Sequence, residues 1–415
     1  MMPDLREADP ERAAAAALLR RSMLGPRPER IDDLAGQSWG DMVNQVLDID
    51  AMQRAVEAKV PQTDELDDVL AWWMEEMSGP DNGIVDKMMW FWHGFLTTNW
   101  DSVGNRILIP RQMAMLRSKS MGNYRDLLQA FVVDGALLRY LDGDGSDASN
   151  PNENLGRELM ELFTIGRGNY TQNDVRAAAR ALAGWWVDDD EDLDDGPVVR
   201  FDRRNAFIAP MIFLDEQADW TTETLVDRLC DHPGTAVNVS SRLWFELIGT
   251  ELSTEDAIEL GRWWQDADLE ILPLVERLLR SKAAETARYT RARTGLEWYL
   301  AVKAATGIPF ESQWQLESLG QMPYFPPNVA GWPKGDRWLR PGSLVHRAVF
   351  LGSIDLEEAP GSRTDEILTS SAMESITDTT RRALEQAGNA SEVAADQQGR
   401  LRWRLALNAP EFHLT

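Results

Sequence analysis

The sequence NPNENLGRELMELFTIG, residues 150–166, combines a helix start, a helical repeat and a helix stop. Pro151 disfavours helical backbone at the residue before it, and the side chain of Asn152 can cap the first turn. Leucines recur four and seven positions after Leu155, the spacing of one face of an amphipathic helix. Gly166 accepts the left-handed conformation that ends many helices. The stretch therefore predicts an amphipathic helix of about three turns.

The same helix carries an unusual number of charged residues. Glu153, Arg157 and Glu161 are spaced four apart and stack on one face, and Glu158 lies beside them. Such a set forms either a solvated ladder of ion pairs or a buried polar network. The compact stretch, with asparagine on both sides of Glu153, favours the buried network, which makes Glu153, Arg157 and Glu158 candidate catalytic residues.

Longer motifs resemble a known family. The run PNENLGRELMELFTIGRGNYTQNDVRAAARALAGW, residues 151–185, is similar to the signature of a bacterial family called domain of unknown function 1800. The motifs WFWHGF (90–95), LRYLD (138–142), FPPNVAGWP (325–333) and APEF (409–412) agree with it. The resemblance spans nearly the whole chain, and it implies no function because none is established for the family.

Composition and charge narrow the class of protein. The formal net charge of −26 argues against nucleic-acid binding, which needs a basic surface, and against an anionic membrane surface. The single cysteine, Cys230, excludes an intramolecular disulfide and a cysteine-based metal site. No run of about 20 apolar residues occurs, so no membrane span is predicted. The expected partner is an unidentified protein, or a polar ligand such as a glycan.

The amino terminus, MMPDLREADPERAAAAALL, has acidic residues where a secretory signal needs a basic end and a long apolar run. A cytoplasmic protein is therefore expected, or an exported one if a leader has been removed.

Helical patterns follow one another along the chain, and the sequence predicts an all-α fold. We expect a single large multi-helix globular assembly with long ordered loops and at most a small β-hairpin, formed by residues 198–201 and 206–213. The helix predicted over 81–95 is densely aromatic, which indicates a central and almost wholly buried element. Another helix is expected from about Trp39 to Val56.

The domain organisation follows from where these patterns break. A main helical domain is expected over 1–355, with a family-like core at about 10–350. It would include an acidic loop at 187–197 and a loop rich in tryptophan, proline and glycine at 322–341. Residues 356–415 are expected to form a linker and C-terminal helices that pack back on the core.

His93 is the one histidine inside an apolar, structured segment, among four in the chain. It is either a core histidine held by a hydrogen bond to one ring nitrogen, or a general base or metal ligand beside the Glu153–Glu158 cluster. No Glu-x-x-His pair and no His-Glu-x-x-His motif occurs, which excludes the di-iron bundle and the zinc metalloprotease classes.

The loop from 142 to 153 has the oxygen donors of a calcium-binding loop. Its positions 1, 3, 5, 9 and 12 are Asp142, Asp144, Ser146, Asn150 and Glu153. This is the donor spacing of a helix–loop–helix Ca²⁺ site, although Asp147 stands where such a loop needs glycine. A bound calcium ion and a metal-free loop of Asx-turns are therefore both open.

The loop 322–341 is the candidate ligand or partner surface. The residues singled out in it are Trp332, Lys334, Arg337 and Trp338. Irregular segments with aromatic and charged side chains can line clefts, and a surface for stacking sugar rings or other planar ligands is one interpretation. The other is a rigid plug that packs its tryptophans over the helical core.

A set of polar residues that the family resemblance implies is absent. Family members usually carry a His-Asp pair, then Gly, then Lys-Thr, between positions that match Phe201 and Asp215. The corresponding positions here are Ala206-Phe207, Ala209 and Met211-Ile212. This loss favours a non-catalytic binding or assembly protein with a buried Glu/Arg polar centre. The alternative is a hydrolase-like enzyme that uses paired carboxylates on a glycan or another polar substrate.

Overall fold

The structure is a computed structural model, and it describes residues 5–7, 9–48, 61, 63, 65–79, 82–190, 196–356, 359–361, 363–388 and 394–415. Most of the described chain is α-helical, which confirms the all-α prediction. Its α-helices are Pro10–Ser22, Pro28–Leu34, Trp39–Val46, Leu66–Ser78, Ile84–Phe95, Leu108–Lys119, Tyr124–Val132, Gly135–Tyr140, Glu153–Glu158, Gln172–Ala181, Thr222–Asp231, Pro233–Ile248, Thr254–Asp266, Ile271–Leu279, Lys282–Thr286, Gly295–Thr306, Trp314–Glu317, Pro341–Ser353, Thr364–Ser370, Asp378–Gly388 and Ala395–Leu407.

Strand in the described residues is limited to three short antiparallel pairs. The pairs are Leu5–Glu7 with Ser375–Thr377, Trp185–Asp188 with Val198–Phe201, and Met211–Phe213 with Glu216–Ala218. The two segments expected to form a hairpin therefore do not pair with each other. Trp185 packs its ring on Phe201, with ring centroids 4.9 Å apart. Leu214 and Asp215 adopt positive φ angles of 46° and 63°, which turns the chain back at once after Phe213.

The helix predicted at residues 150–166 begins as expected. Asn152 accepts a hydrogen bond from the backbone nitrogen of Asn154 at 2.8 Å, and Gly166 has a positive φ of 80°. Between them, Leu159–Phe163 forms a π-helix, in which each turn holds an extra residue. The phenol of Tyr124 donates to the carbonyl of Phe163, the last residue of the π-helix, at 2.5 Å.

Two other predicted segments reach outside the described residues. The helix that starts at Trp39 is described to Val46, and residues 49–60 lie outside the description. The same holds for residues 191–195 of the acidic loop. The division at residue 355 stays a prediction. Among the described helices, none is both long and apolar enough to span a membrane.

The aromatic helix, Ile84–Phe95, lies at the centre of the core. Met88, Trp92 and His93 are completely buried in it, as its composition predicted. The 322–341 loop is seated directly on this helix, because Gly331 has a φ of +83° and a Cβ there would lie 2.3 Å from the carbonyl oxygen of Gly94. This close backbone approach brings Trp332 of the loop against Trp90 of the helix.

Candidate functional site

A cavity of about 430 Å³ lies between the aromatic helix, the helix Pro233–Ile248 and the 322–341 loop. We call it the aromatic cavity, after the six side chains on its walls: Trp90, Phe91, Phe95, Phe245, Trp332 and Trp338. Trp90 and Trp332 stack across the contact between helix and loop, with centroids 5.3 Å apart and planes at 30°. Flat rings of this kind offer large apolar faces to a planar ligand.

Two cations, Arg242 and Lys334, also line the aromatic cavity. The guanidinium of Arg242 lies 5.0 Å from the ring centroid of Phe95, and its Nε donates to Asn238 Oδ1 at 3.1 Å. Lys334 is exposed at the rim, although protein surrounds much of its side chain. Its ammonium makes no ion pair or hydrogen bond with any described residue. Burial, and then the charge of Arg242, lower the pKa of Lys334 to about 8.

Further hydrogen-bond donors on the cavity wall are without acceptors. The indole nitrogens of Trp90 and Trp332 donate to no acceptor in the described part of the chain, and neither does the amide nitrogen of Gln321. The amide oxygen of Gln321 is already used, because it accepts from the backbone nitrogen of Leu296 at 2.9 Å. Glu251 is the exposed carboxylate among the residues that line the cavity.

A buried charge network reaches the wall of this cavity through Glu246 and Arg291. Lys87 is completely buried and pairs with Glu246 and with Glu297, the latter at 2.5 Å. Arg291 binds both oxygens of Glu297, at 2.6 and 2.9 Å, and lies 3.3 Å from Glu246. The network thus balances two cations against two carboxylates. Burial alone would raise the pKa of Glu297, but Arg291 and Lys87 hold it well below the ordinary value.

Three of the four residues predicted on the 322–341 loop line the aromatic cavity: Trp332, Lys334 and Trp338. Arg337 is exposed and does not line it. Both tryptophans are also packed, and the indole of Trp338 donates to the carbonyl of Pro333 at 2.6 Å. The loop therefore packs its tryptophans on the core, as in the plug interpretation, and these residues also line a cleft.

His93 takes the position of a core histidine. Its Nε2 accepts a hydrogen bond from the backbone nitrogen of Tyr324 at 3.1 Å, and its ring contacts Trp90 and Trp332. Burial lowers the pKa of His93 to about 3, so the ring is neutral and Nδ1 carries the proton. It does not line the aromatic cavity and has no contact with the Glu153–Glu158 cluster, so the structure does not bring these candidates together.

The charged face of the 150–166 helix is half-exposed, which corrects the expectation of a buried network. The side chains of Glu153 and Arg157 keep 38% and 37% of their exposure and pair at 3.1 Å. The helix buries its opposite side, where Gly156 packs on Ala178. Glu158 forms no ion pair or hydrogen bond with a described residue, and partial burial, followed by the charge of Glu161, raises its pKa.

Four of the five predicted calcium ligands line one polar cavity of about 490 Å³. They are Asp142, Asp144, Ser146 and Asn150. Arg139 lines the same cavity and donates to Asp144 at 3.2 Å, and the backbone nitrogen of Val187 donates to the other oxygen at 2.8 Å. Glu153 does not line it. Within the described residues, no three His, Cys, Asp or Glu side chains are arranged to hold a metal ion. Calcium binding stays a prediction that this geometry does not support.

The sequence interpretation missed Arg242, Gln321 and the charge network around Lys87. One local signal was present: Lys87 follows Asp86 inside the apolar run IVDKMMWFWHGF, where a lysine needs a buried partner. That partner, Glu297, lies 210 positions away in sequence, and local spacing does not indicate such a pair.

The comparisons with known proteins give one match. A family model described as a protein of unknown function, DUF1800, matches residues 17–414. No curated protein and no solved structure matches the chain.

Proposed function

The chain belongs to the DUF1800 family, as its motifs predicted, and because that family is described as of unknown function we propose one from the geometry: the protein binds a small organic anion with a planar apolar body in the aromatic cavity. The observation that carries this proposal is the pairing of aromatic walls with two cations, Arg242 and Lys334, that lack a bound carboxylate. The proposal is a form of the binding-protein interpretation drawn from the sequence.

The charge balance around the cavity supports an anionic ligand. Glu246 forms its ion pairs with Lys87 and Arg291 and none with Lys334 or Arg242, although its charge and that of Glu251 still raise the pKa of Lys334 against the larger effects of burial and Arg242. A ligand carboxylate would meet both cations, and the free donors on Trp90, Trp332 and Gln321 add neutral hydrogen bonds. The net charge of the chain is −26, so Arg242 and Lys334 form a local positive site on a negative protein, and such a site favours an anionic ligand.

The alternative, a hydrolase with paired carboxylates, has less support. It requires two carboxylates that converge in an open cavity. Glu153 and Glu158 do not line the aromatic cavity. Glu246 and Glu251 do, but Glu246 is committed to the charge network, which leaves one free carboxylate.

Calorimetric titration with 3-phenylpropionate and with its neutral amide tests the proposal. We expect the carboxylate to bind and the amide to bind more weakly. Lys334→Gln should weaken carboxylate binding by about tenfold or more, because a hydrogen bond to a charged group contributes about 1.5–3 kcal/mol. Lys119→Gln is the matched control, since Lys119 lies outside the cavity and pairs with no described residue.

The pH dependence gives a second readout on the same protein. The ammonium of Lys334 is charged below its pKa of about 8, so binding should be strong there and weaken as the pH rises through this value. Equal affinity for the carboxylate and the amide, or equal losses in the Lys334 and Lys119 variants, would refute the anion site.

A further inference from the structure

We infer that Lys334 is an amine nucleophile, and that the ligand of the aromatic cavity carries a carbonyl group beside its carboxylate, with which Lys334 forms a Schiff base. This inference rests on the proposed function and names its ligand class: planar, apolar 2-oxo acids. The cavity would then form a covalent bond to its ligand, which simple anion binding does not require.

The surroundings of the amine support a nucleophile. Lys334 lies on a wall of aromatic rings, next to the like charge of Arg242, and its Nζ has no ion pair with a described residue. Glu246, on the neighbouring helix, forms its ion pairs with Lys87 and Arg291. The charges of Glu246 and Glu251 raise the pKa of Lys334, but burial and then Arg242 outweigh them. A lysine next to another cationic group is one setting in which an amine is activated as a nucleophile.

The choice of lysine at this position is itself informative. The chain has 42 basic residues, of which six are lysines, so arginine is its ordinary cation. An arginine would bind a carboxylate in two-point fashion and would remain charged. A lysine can lose its proton, and the lowered pKa of about 8 leaves a usable fraction of free amine near neutral pH.

The reaction is balanced by groups that line the cavity. The free amine of Lys334 attacks the carbonyl carbon, a proton moves from nitrogen to oxygen, and a carbinolamine forms. The oxygen then takes a second proton and leaves as water, and the nitrogen keeps one proton in the resulting iminium. Glu251 lines the cavity and has no ion pair among the described residues, so it can accept and return protons, while Arg242 holds the ligand carboxylate.

Borohydride trapping of the full chain tests this inference. The protein is incubated with phenylpyruvate and sodium borohydride, and the intact mass and the modified peptide are measured. We expect one adduct on Lys334, which adds the mass of the ligand less one oxygen atom. At a phenylpyruvate concentration that saturates the protein at every pH tested, the yield should rise as the pH increases towards and past 8, because only the free amine reacts.

Two variants separate the reaction from binding. Lys334→Arg keeps the charge, so it should still bind 3-phenylpropionate but give no adduct, and Lys119→Arg should behave as the unmodified chain. Binding of 3-phenylpropionate without an adduct on Lys334, or with adducts spread over all lysines, would overturn the Schiff base and leave the anion site. An adduct on Lys334 without binding of 3-phenylpropionate would overturn the anion site instead, and absence of both would overturn both.

Discussion

Replacing Glu297 by glutamine is the sharpest perturbation of the charge network, because it removes one charge and little volume. The carboxylate of Glu297 accepts from Lys87 at 2.5 Å, from Arg291 at 2.6 and 2.9 Å, and from the backbone nitrogen of Thr294 at 3.0 Å. After the change, Glu246 alone faces two cations, and one of them is left uncompensated in the interior.

The expected cost follows from that unpaired charge. Removal of one partner of a buried ion pair costs about 3–5 kcal/mol, and the glutamine oxygen keeps some of the hydrogen bonds, so we expect about 3 kcal/mol. The matched control is Glu285→Gln. Glu285 keeps 41% of its side-chain exposure and pairs with the exposed Lys282, a kind of pair that contributes about 0–1 kcal/mol.

Urea unfolding of both variants measures the difference in the free energy of unfolding. The double variant Lys87→Met/Glu297→Gln restores the charge balance, so it should cost less than the sum of its two single changes. Costs for Glu297→Gln and Glu285→Gln that agree within about 1 kcal/mol would refute burial of the network.

The pH dependence of stability provides an internal check on Glu297. The pKa of Glu297 in the folded protein lies well below its ordinary value of 4.5. Its ionised form therefore stabilises the fold above pH 4.5, and this contribution is lost as the pH falls through the folded pKa. The difference in stability between the unmodified chain and Glu297→Gln should accordingly shrink in acid.

Two further substitutions test the fold of the site. Gly331→Ala should lower the free energy of unfolding by at least about 1–3 kcal/mol and abolish ligand binding, because a side chain at a φ of +83° is strained and its Cβ would also collide with the carbonyl of Gly94. Thermal unfolding compares this variant with Gly342→Ala, whose Cβ would meet nothing within 4 Å. Glu158→Gln should change the free energy of unfolding by about 0.5 kcal/mol or less, since Glu158 forms no ion pair or hydrogen bond with a described residue. A cost of several kcal/mol for Glu158→Gln, measured by urea unfolding, would contradict its half-exposed position.

The features that could be predicted from sequence are those whose cause is local. Asn152 caps the helix that follows it, and Gly166 has the positive φ expected at the end of that helix, because each signal depends on residues within a few positions. The aromatic composition of 84–95 likewise indicated burial without any knowledge of its neighbours.

The site could be predicted only in part, because its members come from three distant segments. Tryptophans near charged residues in an irregular loop indicated Trp332, Lys334 and Trp338. Nothing local marked Arg242, which lies on an ordinary amphipathic helix. The expectation that the charged face of the 150–166 helix is buried was wrong for a related reason. Spacing shows which side chains share a face, but not whether that face contacts the core or the solvent.

The hydrogen bond between His93 and the backbone of Tyr324 has a consequence for how the protein responds to acid. In the folded protein the ring stays neutral down to a pH of about 3, so this attachment of the loop persists for as long as the chain is folded. In the unfolded chain His93 takes up a proton near its ordinary pKa of 6.5. Below that pH, protonation therefore favours the unfolded chain and lowers the free energy of unfolding. Lys334, which follows on the same loop, titrates near 8. Mild alkali would thus remove the charge of Lys334 and leave the hydrogen bond between His93 and Tyr324 intact. Acid would break that hydrogen bond only by unfolding the whole molecule.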